Sequence, residues 1–320
     1  MTWTRRELLH LSALTAAGTV IGRLPAVGSP QTAAPQPATP PASQPAAPPV
    51  TEFKDLRRNV GTFTGQGGTI GWLVSSAGVV IIDSQFPATA KICLDGINQK
   101  SNSRPIDAVI NTHHHGDHTG GNGTFKPAAK KIVGHVNVPI NQKTQAAAQK
   151  DAPVPVPPDT TFSDSYKVSV GDETIVARYF GPAHTSGDSI IHFEKANVAH
   201  MGDLMFNRRH AFIDRSTGGT AKGWITVLDR ALKEYPDDTL FIFGHAGPKF
   251  PITGSKADLK LQRDYFEALL AFMQGEIKAG KAQAAIVEAH NGKTVLPGFP
   301  DHGPLPDRVL NAIYDEVSKG

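Results

Sequence analysis

The chain has 320 residues, of which 39% are hydrophobic and 19% charged, with a formal net charge of +3. This is an ordinary composition for a soluble globular protein that can bury a large core. The charge is slight and no stripe of Lys and Arg alternates with aromatic residues, so nucleic acid is not a predicted partner. The only cysteine, Cys93, excludes a disulfide within the chain, and its place in a predicted helix over 88–99 favours a packing role.

The first 28 residues have the pattern of a signal peptide. Arg5 and Arg6 precede an apolar stretch from about residue 11 to 21, which ends in small residues near Gly28. The arginine pair is typical of the twin-arginine variant. The alternatives are a membrane anchor or an ordinary helix, but the apolar run is too short to span a bilayer comfortably. We therefore predict export by the twin-arginine machinery, a periplasmic or secreted location, and no stable membrane anchor in the mature form.

Residues 29–51 are mostly Pro, Ala, Gln, Ser and Thr. They contain almost no core-forming side chains, so we predict a disordered, extended linker. The folded part is expected to occupy residues 52–320 as one domain, because no second linker follows.

Strands and helices are expected to alternate through the folded part. In chain order they are strands over 68–74 and 78–83 with a turn between them, a helix over 88–99, a strand over 106–111, a strand end and helix within 134–150, a proline-rich loop over 153–158, a hairpin over 166–179, strands over 189–193 and 198–201, a helix over 223–234, a strand over 240–243, and helices over 255–279, 281–290 and 306–318. Strands flanked by helices in both halves predict an α/β fold with two sheets covered outside by helices.

The densest chemical motif follows the strand over 106–111. His113 and His115 are two positions apart, so an extended backbone points both the same way. Asp117 and His118 fall where the chain turns, and they can face a second ion beside the first. One histidine near a strand end is usually a surface or core residue, but this density favours a metal site, because imidazole and carboxylate are ligands that zinc prefers. His114 is expected to point away.

Three later residues extend this constellation. His184 lies in a Gly/Pro loop after a strand, Asp203 follows another strand, and His245 follows a third. Each residue alone is typical of an ordinary turn. Together with the first loop they favour one shared metal site, because all of them sit at strand ends.

These residues resemble the metallo-β-lactamase superfamily. The family pattern His-x-His-x-Asp-His corresponds to His113, His115, Asp117 and His118, and its later ligands correspond to His184, Asp203 and His245. The resemblance runs from about residue 55 to 250 and implies a four-layer αββα sandwich. It also implies two zinc ions per chain, with iron or manganese as alternatives, and no other cofactor.

The resemblance implies a role for each residue. His113, His115 and His184 would hold the first ion, Asp117, His118 and His245 the second, and Asp203 would bridge both. Asp83, at the end of its strand, matches a carboxylate that supports the ligands in the family. A plain turn residue is the alternative for Asp83.

The predicted activity is hydrolysis of a small molecule. Two close divalent ions lower the pKa of a shared water, so hydroxide can attack a carbonyl or phosphoryl centre, with Asp117 orienting it and relaying a proton. A β-lactam-like amide or an ester is the first substrate hypothesis. The alternatives are a glyoxalase-II-like thioesterase, a lactonase or a phosphoesterase, and a non-catalytic metal-binding module.

The substrate-binding residues are less well defined by the sequence. Many zinc β-lactamases have a Cys ligand at the position of Asp203 and a Lys at the position of Phe206. The bridging Asp is instead similar to glyoxalase-II-like thioesterases and lactonases, although no glutathione-binding basic residues are matched in the C-terminal helices. Four residues after the Asp203 corner are candidates for the cleft or for solvated loop charges: Arg208, Arg209, His210 and Lys222.

Overall fold

The computed structural model describes residues 49–148 and 154–319. The predicted signal peptide lies outside the described residues, as does almost all of the predicted linker. The domain boundaries therefore stay a prediction.

Two mixed β-sheets form the centre of the described protein. The first has seven strands, which lie side by side in the order of the sequence, and the second has six, which do not. The strands of the first sheet are β1 (Glu52–Asp55), β2 (Val60–Thr64), β3 (Ile70–Val74), β4 (Val79–Ile82), β5 (Ala108–Ile110), β6 (Ile132–His135) and β7 (Thr160–Phe162). Those of the second sheet are β8 (Ser165–Val170), β9 (Glu173–Tyr179), β10 (Ser189–Phe193), β11 (Val198–His200), β13 (Leu240–Ile242) and β15 (Thr253–Gly254), while β12 (Phe206–Asn207) pairs with β14 (His245–Ala246).

Eight α-helices flank the sheets within the described ranges. They are α1 (Pro87–Ser101), α2 (Gly116–Thr119), α3 (Asn122–Phe125), α4 (Asn137–Ala148), α5 (Ala221–Glu234), α6 (Lys256–Lys278), α7 (Gln283–His290) and α8 (Asp307–Lys319). None of the described helices is long and apolar enough to cross a bilayer.

Side-chain alternation along the strands produces the layers. In β4, Val80 and Ile82 point into the cluster between the sheets, whereas Val79 and Ile81 pack with α1 on the outer face. In β10, Ile191 faces the first sheet while its neighbour Ile190 packs against the helices beyond the second sheet. Three apolar layers therefore separate four layers of secondary structure, and the predicted αββα sandwich is confirmed.

The chemical residues gather at one edge of this sandwich. Strands β4, β5 and β6 are parallel neighbours, so the turns after them emerge on the same side. In the second sheet β11 and β13 are parallel and bring the turns after His200 and Ile242 together. The turns after β5, β11 and β13 carry six of the predicted ligands. The seventh, His184, follows β9, which runs in the same direction as β11.

The predicted elements were found with shifts of a few residues at their ends. Strands β1 and β2 were not predicted, although β2 pairs with β3 along its whole length. The region 52–64 has too little alternation to stand out from a loop, because Gly61 and several polar residues interrupt it. Gly61 is required there, because a Cβ atom would lie 2.1 Å from the Trp72 ring.

Candidate metal centre

Seven predicted side chains converge into two groups that could each hold an ion. One group contains His113, His115, His184 and Asp203, and the other contains Asp117, His118, His245 and Asp203. Within each group the candidate ligand atoms lie within 4.8 Å of one another. The structure thus brings together every residue that the sequence motifs pointed to.

The first group is a cluster of imidazole nitrogens. Nδ1 of His115 lies 3.1 Å from Nε2 of His113 and 2.8 Å from Nε2 of His184. Imidazole nitrogens that share a tetrahedral zinc ion, with bonds of about 2.0–2.1 Å, would lie about 3.3 Å apart. The spacing therefore suits a common cation.

The other ring nitrogens show that these three atoms carry lone pairs. Nε2 of His115 donates to Oδ2 of Asp214 at 3.0 Å, and Nδ1 of His184 donates to the Phe212 carbonyl at 2.6 Å. Nδ1 of His113 lies 3.1 Å from the Thr112 hydroxyl, which donates its own proton to Asp83 and so accepts from the ring.

Each ring proton is donated to a partner outside the first group. The three nitrogens that face one another in this group therefore all carry lone pairs. Burial, reinforced by neighbouring imidazoles, lowers the pKa of His113 well below its ordinary value and that of His184 to about 3. His113 and His184 are therefore neutral at pH 7, as metal ligation requires. A shared cation is the fitting partner for such a set.

The second group places two carboxylates against two imidazoles. Nε2 of His118 lies 2.9 Å from Oδ1 of Asp203, yet neither atom forms a hydrogen bond and both are buried. Nε2 of His245 lies 3.1 Å from Oδ2 of Asp117 and 3.3 Å from Oδ1 of Asp203. These atoms meet at one point without mutual hydrogen-bond geometry, which again fits a cation.

The pKa values of His245 and Asp117 reflect the electrostatic field of the second group. Burial alone would lower the pKa of His245, but the carboxylates of Asp203 and Asp117 outweigh it and raise that pKa to about 9. Burial raises the pKa of Asp117, but His118 and His245 lower it to about 2, so Asp117 is ionised at neutral pH. A field that draws protons onto imidazoles also draws a divalent cation.

Asp203 belongs to both groups through different oxygens. Its Oδ2 lies 3.5 Å from Nε2 of His184 and 3.9 Å from Nε2 of His113, while its Oδ1 faces His118 and His245. It lies in a short 3-10 helix over Gly202–Leu204, directly after β11. One carboxylate can therefore serve two adjacent ions.

Asp83, directly after β4, forms hydrogen bonds with the loop that follows β5. Its Oδ1 accepts the Thr112 N–H at 2.7 Å, and its Oδ2 accepts the Thr112 hydroxyl and Nδ1 of His118, each at 2.7 Å. Asp83 has φ = 62°, a left-handed conformation that Asp adopts more readily than most residues. It holds His118 through Nδ1 and leaves Nε2 directed at the second group.

Asp214 and His114 extend the site beyond the predicted residues. Asp214 accepts from Nε2 of His115 and is itself held by the hydroxyls of Ser216 and Thr217. His114 is buried, has its Nε2 3.6 Å from Oδ2 of Asp214, and forms a third candidate group with His115 and Asp214. No local pattern marked Asp214, which lies 99 positions from its histidine partner.

Four residues of the two groups, namely His115, Asp117, Asp203 and His245, line a cleft of about 770 Å³, a size typical of small-molecule sites. Asp117 is the most open of the seven side chains, at 28% exposure, whereas Asp203 is 4% exposed. The apolar wall includes Phe86, Phe206 and Phe212. The ring of Phe206 stacks on that of His245 at a centroid distance of 5.2 Å.

Two of the four candidate polar residues after Asp203 line this cleft, namely Arg209 and His210. Arg208 turns away and binds Oδ1 of Asp258 at 2.5 Å. Lys222 lies on α5 and is not among the residues that line the cleft. A further basic residue, Arg308 of α8, lines the cleft and was not predicted.

The family model of the metallo-beta-lactamase superfamily matches residues 64–245. The chain therefore belongs to this superfamily, whose members are mainly metal-dependent hydrolases. It is 24% identical over 200 residues to metallo-beta-lactamase IND-1 of Chryseobacterium indologenes, a match that covers 62% of this chain and 80% of that protein. It is 26% identical over 204 residues to a "Probable hydroxyacylglutathione hydrolase" of Schizosaccharomyces pombe, which covers 61% and 72%.

Other relatives match over a smaller share of their length. A 2,4-dinitroanisole O-demethylase subunit of Nocardioides is 26% identical over 131 residues, which is only 38% of that protein. The solved structure of the sec-alkylsulfatase Pisa1 from Pseudomonas superposes with a TM-score of 0.65 at 16% identity, over 83% of this chain and 50% of that one. This likeness supports the fold.

Proposed function

We propose that this protein is an exported, dinuclear metal-dependent hydrolase that cleaves a carbonyl substrate, an ester or a β-lactam-like amide. The observation that carries the proposal is the carboxylate of Asp203, which faces two imidazoles of the first group with one oxygen and both imidazoles of the second group with the other. We propose zinc as the metal, because histidine nitrogens predominate among the ligand atoms. Bound divalent ions would supply Lewis acidity and an activated water.

The residues of the chain would provide the remaining parts of the reaction. Asp117 is ionised, lines the cleft and is the most open of the seven side chains, so it can accept a proton from the attacking water and pass it to the leaving group. The buried His118 and Asp203 stay fixed beneath it. The aromatic wall excludes water from one side of the bound substrate.

The experiment is turnover of a chromogenic cephalosporin and of 4-nitrophenyl esters by purified protein, with and without chelator. Asp117→Ala should lower kcat by about a hundredfold or more, because general-base catalysis contributes about 10²–10⁴. The matched control is Asp95→Ala, which removes only an exposed pair with Lys91. Full activity in Asp117→Ala would contradict the proposed role.

A thioesterase is the second candidate function. It is supported by the aspartate at position 203, which resembles the ligand set of glyoxalase-II-like enzymes, and by similarity to a protein named as a hydroxyacylglutathione hydrolase. The ratio of kcat/KM for S-lactoylglutathione to that for the cephalosporin distinguishes the two. Chelator-sensitive turnover of the thioester alone would assign the second function.

We also propose that the twin-arginine machinery exports the protein after its metal centre has formed. The proposal is supported by the arginine pair and the apolar stretch in the first 28 residues. Replacing Arg5 and Arg6 together by Lys should leave the protein in the cytoplasmic fraction. Unchanged appearance in the periplasmic fraction would contradict this route.

A further inference from the structure

Two arginines from distant parts of the chain line the wall of the metal cleft. Arg209 follows β12 in the loop beyond Asp203, and Arg308 lies in the first turn of α8. Both line the same cleft as Asp117 and His245. The helix that supplies Arg308 lies beyond the residues matched by the family model.

Neither guanidinium has a carboxylate partner among the described residues. The neighbouring Arg208, by contrast, binds Asp258 at 2.5 Å. The acidic side chains that line the cleft in the described ranges are Asp117 and Asp203, and both belong to the ligand groups. The two positive charges therefore remain available to an anion that enters the cleft.

Arg308 is held in place without being neutralised. Its Nη1 donates to the Ala211 carbonyl at 3.2 Å and its Nη2 to the His210 carbonyl at 3.4 Å. The same loop is tied to the C-terminal region by His210, whose Nε2 donates to the Gly303 carbonyl at 3.1 Å. An anchored guanidinium loses little freedom on binding and keeps further N–H donors for a ligand.

The positive charges of the two guanidinium groups repel one another. Burial and the neighbouring Arg209 both lower the pKa of Arg308. An anion placed between like charges relieves their repulsion and accepts charge-assisted hydrogen bonds.

The rest of the cleft wall is apolar. Phe86 and Phe212 are 42% and 44% exposed, which is unusual for aromatic rings, and Val154, which lines the same cleft, is 59% exposed. A ligand that meets both surfaces combines an apolar body with a negative group. Inorganic anions meet only one of these surfaces.

We infer that Arg209 and Arg308 form an anion subsite that determines specificity, and that it binds a carboxylate or sulfate group carried on the apolar body of the substrate. The inference rests on the proposed function, since it names the substrate class of that site. The subsite places the anionic group at the arginine wall and the scissile bond over the metal-ligand floor.

The first test measures binding to the metal-loaded full chain by calorimetry. The probes are 2-naphthalenesulfonate, 2-naphthoate, neutral methyl 2-naphthoate and inorganic sulfate. We expect Arg209→Gln and Arg308→Gln each to raise the Kd of both naphthalene anions about tenfold or more, since hydrogen bonds to charged groups are the stronger class. A larger effect for one naphthalene anion identifies the preferred anionic group.

Two outcomes of the binding test would overturn the inference. Unchanged Kd values in both variants would show that the arginines do not bind the anion. Equal affinity of the wild type for inorganic sulfate and for the aryl sulfonate would show that the apolar wall takes no part. Arg230→Gln is the matched control, because this arginine packs over the ring of Phe180 outside the cleft.

The second test measures the selectivity between 4-nitrophenyl hemisuccinate, which is anionic, and its neutral methyl ester. The ratio of their kcat/KM values should fall about tenfold in Arg308→Gln and further in the double variant, and it should stay constant in Arg230→Gln. An unchanged ratio in the double variant would contradict the subsite. Absence of turnover together with charge-dependent binding would refute the hydrolase and leave the subsite standing.

Discussion

His118 is held by residues that come from several separate loops. Asp83 accepts from its Nδ1 at 2.7 Å, and Asp203 faces its Nε2. Gly68 packs directly on the ring, where a Cβ atom would lie 2.1 Å from Cε1 and 2.3 Å from Nε2. The imidazole is therefore restricted to one orientation, with the nitrogen aimed at the second ligand group.

Gly68→Ala should displace His118 and weaken binding of the second ion. We expect the zinc stoichiometry, measured by competition with a chromophoric chelator, to fall from two to one per chain. Gly275→Ala is the control, because nothing lies within 4 Å of the added methyl group and the site is inside α6. Two zinc ions of unchanged affinity in Gly68→Ala would contradict the predicted geometry.

Asp214→Ala should weaken binding of the first ion. The carboxylate fixes the tautomer of His115, and removing such a partner typically costs about 10–100-fold in metal affinity. The expected result is a higher Kd for one of the two ions, with the other unaffected, in a zinc titration. Equal affinities in the variant and the wild type would show that Asp214 does not orient His115.

Some residues of the site were predictable from the sequence and others were not, and the reason is physical. His113, His115, Asp117 and His118 were recognisable because four potential ligands lie within six positions. Asp214 is one acidic residue in a loop, and nothing in its neighbourhood tells it apart from a capping residue. Its role depends on a contact between distant loops, which only the packing of the two sheets creates.

At the scale of elements, the C-terminal helices support the walls of the cleft. Glu316 of α8 is 4% exposed and accepts the N–H groups of Ala221 and Lys222, at 2.7 and 2.9 Å. These groups begin α5 and would otherwise lack partners. Just before them, the Thr220 N–H donates to the Ala183 carbonyl, beside the loop of His184.

Glu316→Ala should lower the free energy of unfolding by about 2–4 kcal/mol, because one buried and one partly buried N–H group lose their acceptor. Urea denaturation measures this change. Glu267→Ala is the control, since its carboxylate is half exposed and pairs only with Arg263, a contact worth about 0–1 kcal/mol. A loss in Glu316→Ala no larger than in the control would contradict the capping role.

The elements themselves were largely predictable from the sequence. Strong alternation or helical periodicity marked the strands near Val79 and Ile190 and the three C-terminal helices. The contribution of α8 to the cleft was not predictable, because Arg308 is an ordinary first-turn residue until the helix packs beside the 208–213 loop. Periodicity identifies the buried face of a helix but does not identify its neighbour.

At the scale of the whole molecule, the centre joins the two sheets. The first sheet supplies Asp117 and His118 on the loop after β5, while the second supplies Asp203 and His245. Ions held between these loops would bind only the folded chain. Metal binding should therefore add to the stability of the entire sandwich.

Removal of metal should lower the thermal stability. A site held at one hundred times its Kd contributes about 2.7 kcal/mol, which corresponds to a shift of several degrees in Tm for a domain of this size. The measurement is a thermal scan of zinc-loaded protein with and without chelator. The Asp203→Asn variant should show a smaller difference, and equal Tm values in the wild type would contradict the coupling.

The most direct test of the dinuclear centre is anomalous X-ray diffraction, at the zinc edge, from crystals of the zinc-loaded protein. We predict two anomalous peaks, one among the side chains of His113, His115 and His184 and the other among Asp117, His118 and His245, with Asp203 between them. A single peak, or peaks only outside these residues, would contradict the assignment of the seven side chains to a two-metal centre.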